Sequence, residues 1–282
     1  MVERRHWFSD MLPHLILTIG VGILAFPVWL AVVGSTWDAG TIANGTMPLY
    51  PGPYAVENYT RALGHGGRSS GEPVGMLMLN SFVMALAIAL GKIAISMISA
   101  YAVVYFRFPF RMAAFWLIFI TLMLPVEVRI YPTYQVVAQV GLLDTYAGLA
   151  VPLIASATAT LLFRQFFMTI PPELVEASKI DGAGPLKFFK DTVLPLSITT
   201  MAALFVIQFI YGWNQYLWPL LITTRPDMQT IVVGIKKLLV TQDALTEWQI
   251  AMTTAVLAML PPVLVVLVMQ KLFVRGLVET EK

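Results

Sequence analysis

Charged side chains are rare in this 282-residue sequence, and three of them lie inside or beside long apolar stretches: Lys92, Glu127 and Arg129. An ionisable group in lipid costs at least about 2.5 to 3.5 kcal/mol on insertion scales, so such groups usually face a bundle interior or water. Two interpretations stay open. The three groups line a path for a charged solute, or they are structural ion pairs in which Glu127 meets Lys92 or Arg129.

A second polar group interrupts the apolar stretch that begins near residue 197. It consists of Trp213, Asn214, Gln215 and Tyr216. These side chains could line a translocation cavity. Equally, Trp and Tyr are enriched at membrane interfaces, and Asn and Gln bond between membrane helices. Both interpretations stay open from the sequence alone.

The sequence offers little for catalysis. It has no cysteine, and its three histidines, His6, His14 and His65, lie toward one end of the chain, so we expect no metal site and no nucleophile with a convergent base. Gly91-Lys92 lacks the remaining residues of a phosphate-binding loop. We therefore expect neither an enzyme nor a bound cofactor. A net charge of +2 with dispersed basic residues gives no indication of nucleic-acid binding.

The elements that hold these residues are predicted to be membrane helices. Hydrophobic residues make up 58% of the chain and charged residues 12%, with a mean hydropathy of +0.76. About 20 apolar residues cross the hydrocarbon core as a helix. We predict an all-α integral membrane protein with a cytoplasmic N-terminus (1–11), a transmembrane domain (12–275) and a cytoplasmic tail (276–282). Its six spans are expected at about 12–34, 76–104, 112–131, 146–166, 197–222 and 249–272.

The orientation follows from the basic residues that flank the spans, because Lys and Arg are enriched in cytoplasmic loops. With the N-terminus inside, eleven basic residues fall on the cytoplasmic side, among them Arg107, Lys179 and Lys187. Six fall outside. Both termini are therefore predicted to be cytoplasmic, and the long connection between the fourth and fifth spans also lies inside.

That connection, residues 171–195, has clear helix boundaries. Pro172 suits the first helical position, and Glu173 and Glu176 suit the positive end of a helix. Gly182 can take the left-handed conformation that ends a helix. Gly184-Pro185 then allows a second short helix with Phe188 and Phe189 before the fifth span. We predict a compact cytoplasmic projection with charged and apolar faces.

The loop resembles the EAA loop of ABC importer permeases through Glu176-Ala177-Ser178, Gly182 and Leu194-Pro195. It departs from the pattern at Ser178, where alanine is usual, and at Thr192, where isoleucine is usual. The resemblance implies the type I importer permease fold with a coupling helix that docks on a cytoplasmic ATPase. The implied coupling residues are Glu176, Ala177, Ser178, Asp181, Gly182, Leu194 and Pro195.

Residues 76–275 are similar to the carbohydrate-type branch of these permeases. The similarity is carried by residues 130–134, 141–145 and 209–220. Within that branch, residues 123–130 and 155–168 look closest to permeases of sn-glycerol-3-phosphate importers. This substrate would carry roughly −1.5 to −2 charges, so a cation on the path could offset part of its desolvation.

The resemblance also implies partners. They are a second homologous permease, two cytoplasmic ATPase subunits that bind ATP and Mg²⁺, and a periplasmic substrate-binding protein. Three alternatives stay open: an importer for a glycerophosphodiester, an importer for a neutral sugar or oligosaccharide, and, more remotely, a secondary transporter, which would need no docking helix.

Overall fold

The computed structural model describes residues 7–67, 72–121, 124–239 and 246–279, except for the side chains of residues 7–10, 126, 127 and 273–279. Within these ranges the chain is helical and has no strand. The helices are α1 (Trp7–Gly34), α2 (Ala39–Ala43), α3 (Ala55–Gly64), α4 (Val74–Tyr105), α5 (Arg111–Ile120), α6 (Val126–Gln139), α7 (Tyr146–Ala150), α8 (Ala157–Thr169), α9 (Pro172–Ile180), α10 (Pro185–Phe188), α11 (Leu194–Leu196), α12 (Ile198–Trp213), α13 (Leu217–Ile222), α14 (Ile231–Leu239) and α15 (Trp248–Glu279).

Three helices are long and apolar enough to cross a membrane by themselves. They are Met11–Gly34 within α1, Val74–Tyr105 and Trp248–Leu272 within α15. Two further spans are obtained if bent helix pairs are counted: Tyr146–Leu153 with Ala157–Thr169, bent by 50°, and Pro185–Leu196 with Ile198–Trp213, bent by 70°. The described residues thus contain three to five candidate spans, and the number six stays a prediction.

The predicted third span, residues 112–131, is not one continuous helix. Apolar helix α5 ends at Ile120, and α6 begins at Val126 directly after Pro125. Proline has no N–H and restricts the residue before it to extended backbone, which explains the break. The predicted fifth span is also interrupted, because α12 ends at Trp213 and α13 begins at Leu217.

The chain divides into two compact units. The first comprises the described residues up to Gly75 together with residues 246–259 and 234–239. Its buried centre is Asn58, whose amide donates to the carbonyls of Ser35 and Trp37, both at 2.9 Å. An ion pair between Arg61 and Glu247 joins α3 to the segment before α15. Polar contacts therefore hold the segment that follows α1.

The second unit contains the site residues and spans residues 76–233 and 260 onward. One of its apolar clusters joins α4, α8 and α12 to the connection after α9, through Met97, Phe163, Phe167, Val193 and Leu204. At another level α4 and α12 nearly touch, since a Cβ built on Gly212 would lie 2.8 Å from the Ala85 Cα. Small residues at helix contacts allow backbones to approach in membranes.

A carboxylate fixes the loop after α13. Asp144 takes a positive φ of 53° and accepts hydrogen bonds from the backbone N–H of Thr224 and, at 2.9 Å, of Arg225. Burial opposes ionisation of this carboxyl group, but these hydrogen bonds outweigh burial and lower the pKa of Asp144. The ionised carboxylate thus holds the ends of α7 and α13 together outside the predicted spans.

Candidate functional site

The segment after α8 folds as the sequence predicts. Helix α9 begins at Pro172 and ends at Ile180, and Gly182 follows with φ 71°. The Ala183 N–H donates to the Ser178 carbonyl at 2.9 Å and the Gly182 N–H to the Lys179 carbonyl at 3.1 Å. This pair of bonds is the Schellman ending, which requires a left-handed residue at the position of Gly182. A Cβ at Gly182 would meet no neighbouring atom within 4 Å, so the constraint is on the backbone alone.

Two tyrosines in the last turns of α4 hold the connection in place. The Tyr101 hydroxyl donates to the Pro185 carbonyl at 2.7 Å, and the Tyr101 ring lies 4.9 Å from the ring of Phe189. The Tyr105 ring lies 5.3 Å from the buried ring of Phe188. Such edge-to-face pairs add about 0.5 to 1.5 kcal/mol each beyond burial. Phe188 and Phe189 therefore pack inside the chain rather than on its outer face.

After this turn the chain runs directly into the next apolar helix. The segment continues as a π-helical turn, Phe189–Val193, and as α11. Val193 is fully buried in the apolar cluster, and Leu194 packs against that cluster. Helix α12 then begins at Ile198. The segment from α10 to α12 is thus a nearly continuous bent helical path.

The outer face of the segment is exposed. Ile180 and Leu186 are 86% and 85% exposed, and Leu174 is 40% exposed. Among the predicted coupling residues, most are exposed and two, Ser178 and Leu194, are half-buried; the exposed ones are Glu176, Ala177, Asp181, Gly182 and Pro195. The surface thus combines acidic groups with large apolar side chains, as expected of a surface that a partner covers.

Lys92 lies in the middle of α4, roughly 20 Å along the helix from Tyr105, and is 6% exposed. Its ammonium donates to the Gln208 Oε1 at 3.0 Å and lies 3.7 Å from the centre of the Tyr211 ring. Both contacts come from α12. Neither contact group carries a charge. The amide oxygen of Gln208 and the face of the Tyr211 ring therefore stabilise the buried ammonium of Lys92.

The other predicted pathway residues are placed differently. Arg129 is exposed on α6. The side chain of Glu127 lies outside the described residues. Trp213 is 2% exposed and stacks on Phe209, whereas Asn214 and Tyr216 are exposed where α12 ends. The structure therefore buries Lys92 and Trp213 among the chain's own helices and leaves Arg129, Asn214 and Tyr216 exposed.

Sequence reasoning missed several residues of these two regions. Gln208 and Tyr211 looked like ordinary members of an apolar helix, although their spacing from each other is that of one helix face. Ile180 and Leu186 gave no signal, because their exposure depends on which side of the short helices meets α4. Among the described residues no group of three or more His, Cys, Asp or Glu could hold a metal ion.

Comparison with known proteins identifies relatives over the full chain. Residues 92–279 match the sequence profile of a family described as binding-protein-dependent transport system inner membrane components. The sn-glycerol-3-phosphate transport system permease protein UgpE of Rhizobium meliloti is 57% identical, with 100% of both chains covered. The proteins of the same name from Brucella melitensis and Escherichia coli K12 are 56% and 54% identical, again over 100% of both chains.

Among solved structures, similarity is found to a chain of a bacterial ABC transporter involved in the import of the acidic polysaccharide alginate. The TM-score is 0.82, with 96% of this chain and 98% of that chain covered, at 19% sequence identity. At this identity the likeness concerns the fold alone. The helices therefore have the arrangement seen in a chain of an ABC transporter.

Replacement of Tyr101 by Phe tests how the connection is held. The change keeps the aromatic packing and removes the hydrogen bond to Pro185. A net loss of about 1 kcal/mol would raise the opening of the segment roughly fivefold. We expect tryptic cleavage after Lys179 and Lys187 to accelerate by that factor in purified protein. Tyr134→Phe is the control, because its hydroxyl has no described hydrogen bond; equal cleavage of both variants would contradict the assignment.

Proposed function

Because this chain belongs to the family of inner membrane components of binding-protein-dependent transport systems, we propose that it is a permease subunit of an ATP-driven importer for sn-glycerol 3-phosphate. The observation that carries the proposal is the 54–57% identity, over full length, to permeases named for that substrate. Related diesters are the nearest alternative substrates, and neutral sugars or oligosaccharides are the next.

The proposed assembly contains more than this chain. It has a second homologous permease, two cytoplasmic ATPase subunits that bind ATP and Mg²⁺, and a periplasmic binding protein that delivers the substrate. This chain supplies no ATPase site and no cofactor site of its own. We propose six spans in the inner membrane with both termini in the cytoplasm, each bent helix pair counting as one span and α5 with α6 forming the third.

Helix α9 is proposed to be the coupling helix. The exposed apolar side chains of Ile180 at its end and of Leu186 in α10 would be covered by the ATPase, and Glu176 and Asp181 would surround that contact. Two structural links would transmit a movement of α9 from the ATPase to the membrane helices. One is the bent path into α12, and the other is the pair of tyrosines on α4. Rigid displacement of these helices would then change access to the path.

The region around Lys92 is proposed to lie beside the translocation path. Lys92 is a buried cation whose described partners are uncharged, and Arg129 supplies a second cation on α6. An arriving phosphate group would receive charge-assisted hydrogen bonds, which are stronger than neutral ones. Asn214 and Tyr216, exposed at the end of α12, are the proposed polar lining nearer the outer side. The competing arrangement is a structural ion pair of Glu127 with Lys92 or Arg129.

Uptake measurements test the substrate. The chain, its partner permease, the ATPase and the binding protein are produced together in a bacterial strain without its own glycerol-3-phosphate uptake. We expect accumulation of labelled glycerol 3-phosphate, dependent on ATP and on the binding protein. Accumulation of a labelled neutral sugar but not of the phosphate ester would identify the alternative importer. Uptake by this chain without an ATPase would identify a secondary transporter.

A matched pair of variants tests coupling. An L-residue at the left-handed position of Gly182 costs roughly 1 to 2 kcal/mol, whereas Gly184 has φ −71° and open space around it. We expect Gly182→Val to lower the ATPase stimulation by loaded binding protein by roughly five- to thirtyfold, and Gly184→Val to leave it nearly unchanged. Normal stimulation and transport in the Gly182 variant would refute a coupling role for this helix end.

Neutral variants test the cationic region. Lys92→Met keeps the length of the side chain and removes its charge, and Arg129→Gln does the same at the second position. Loss of one charge-assisted hydrogen bond lowers phosphate-ester uptake about tenfold or more. Complexes are first matched for bound ATPase and basal hydrolysis, which separates failed assembly from failed transport. Unaltered uptake in both assembled variants would favour the structural ion pair.

A further inference from the structure

A groove lies between the end of α4 and the inner side of α9. Its volume is about 290 Å³, at the lower end of the range for small-ligand sites. Aromatic rings form one wall, and hydroxyl and amine groups reach it from the connection. It is lined by Tyr101, Tyr105, Phe106, Arg107, Val175, Ser178, Lys179, Ala183, Pro185 and Phe188.

The charges of this groove have one sign. Arg107 and Lys179 line it, no lining residue is acidic, and neither cation has a carboxylate partner among the described residues. A second groove on the same segment, about 280 Å³, has a mixed lining that includes Lys187, Asp181 and Asp191. The lining of the first groove is basic and that of the second is mixed, so positive charge is not spread evenly over the connection. The first groove therefore suits an anion.

The groove opens beside an aromatic run that follows α4. Phe106 lines the groove and is 42% exposed, and Phe108 and Phe110 are 39% and 83% exposed. Arg107 alternates with them in sequence, and Arg111 follows directly. Exposed aromatic rings that alternate with basic residues at the end of a long apolar helix are typical of the boundary between hydrocarbon and headgroups.

We propose that the groove binds the phosphate headgroup of an anionic phospholipid. Arg107 and Lys179 contact the phosphate, Ser178 supplies a hydroxyl, and the acyl chains leave the groove along Phe106 into the bilayer. The volume fits a headgroup and not a whole lipid, so the acyl chains lie outside the groove, against the exposed neighbouring rings. The proposal rests on the proposed membrane spans and is independent of the transported substrate.

Such a lipid would act on the connection. Arg107 follows α4 and Lys179 belongs to α9, so one phosphate would bridge the end of α4 to the same connection that Tyr101 holds through Pro185 of α10. Each basic residue near a membrane surface adds to the affinity of the protein for anionic lipids. Anionic lipid therefore favours the position of α9 against α4 that is described above, and ATPase stimulation depends on the composition of the bilayer.

The test uses the intact importer in nanodiscs of equal parts phosphatidylglycerol and phosphatidylcholine, with a photoactivatable phosphatidylglycerol as the probe. Labelling is measured without substrate or ATP, so a failure of the proposed transport leaves this readout unaffected. We expect labelled peptides around residues 106–111 and 178–188. In the combined Arg107→Gln and Lys179→Gln variant, we expect this labelling to fall about thirtyfold. Lys187→Gln, which removes a cation from the other groove, and the charge-conserving Lys179→Arg keep it.

Three results would overturn the proposal. Equal labelling in the combined variant would show that the two cations do not select the lipid. Competition by free inorganic phosphate would show that the ligand is a soluble anion. Labelling that arises only after the ATPase has been removed would show that the groove is covered by that protein. Retained labelling that phosphate does not reduce, with the loss confined to the combined variant, supports the lipid site.

Discussion

Aromatic packing between the end of α4 and the connection that follows α9 is the constraint on which the arrangement depends. The connection leaves large side chains exposed, among them Ile180 and Leu186, so it does not hold its position by burying its outer face. Tyr101 and Tyr105 supply the missing anchor through ring contacts and one hydrogen bond to Pro185. The proposed coupling surface, the bent path into α12 and the cationic groove all take their positions from this anchor.

Local features of the sequence were enough to predict the elements of that region. Pro172, Gly182 and Gly184-Pro185 act on their own backbone, so the start of α9, its left-handed ending and the start of α10 followed from residue type. The long apolar helices were also predicted correctly where the run of apolar residues is continuous. The sequence prediction did not foresee that Pro125 breaks the helix, because the apolar residues on both sides of it suggested one continuous span.

What the sequence did not reveal depends on tertiary contacts. The sequence placed Phe188 and Phe189 on a short helix but did not show which way they face; they pack inward, because α4 presents two tyrosines at that level. Lys92 was recognised as unusual, but its partners, Gln208 and Tyr211, are 116 and 119 residues away in sequence, and their role requires α4 to lie against α12. The polar groups of a membrane chain must be satisfied internally. The Gln208 amide and the Tyr211 ring are the described partners of Lys92, and an ion pair with Glu127 stays a prediction, because the side chain of Glu127 lies outside the described residues.

The contact of Gly212 with Ala85 has a consequence for how relatives of this chain can diverge. A Cβ on residue 212 would lie 2.8 Å from the Cα of Ala85, which is too close for two carbon atoms that are not bonded. Because every residue has a Cα, no substitution at position 85, glycine included, makes room for a side chain at position 212. Position 212 is therefore expected to stay glycine wherever the two helices keep this close contact.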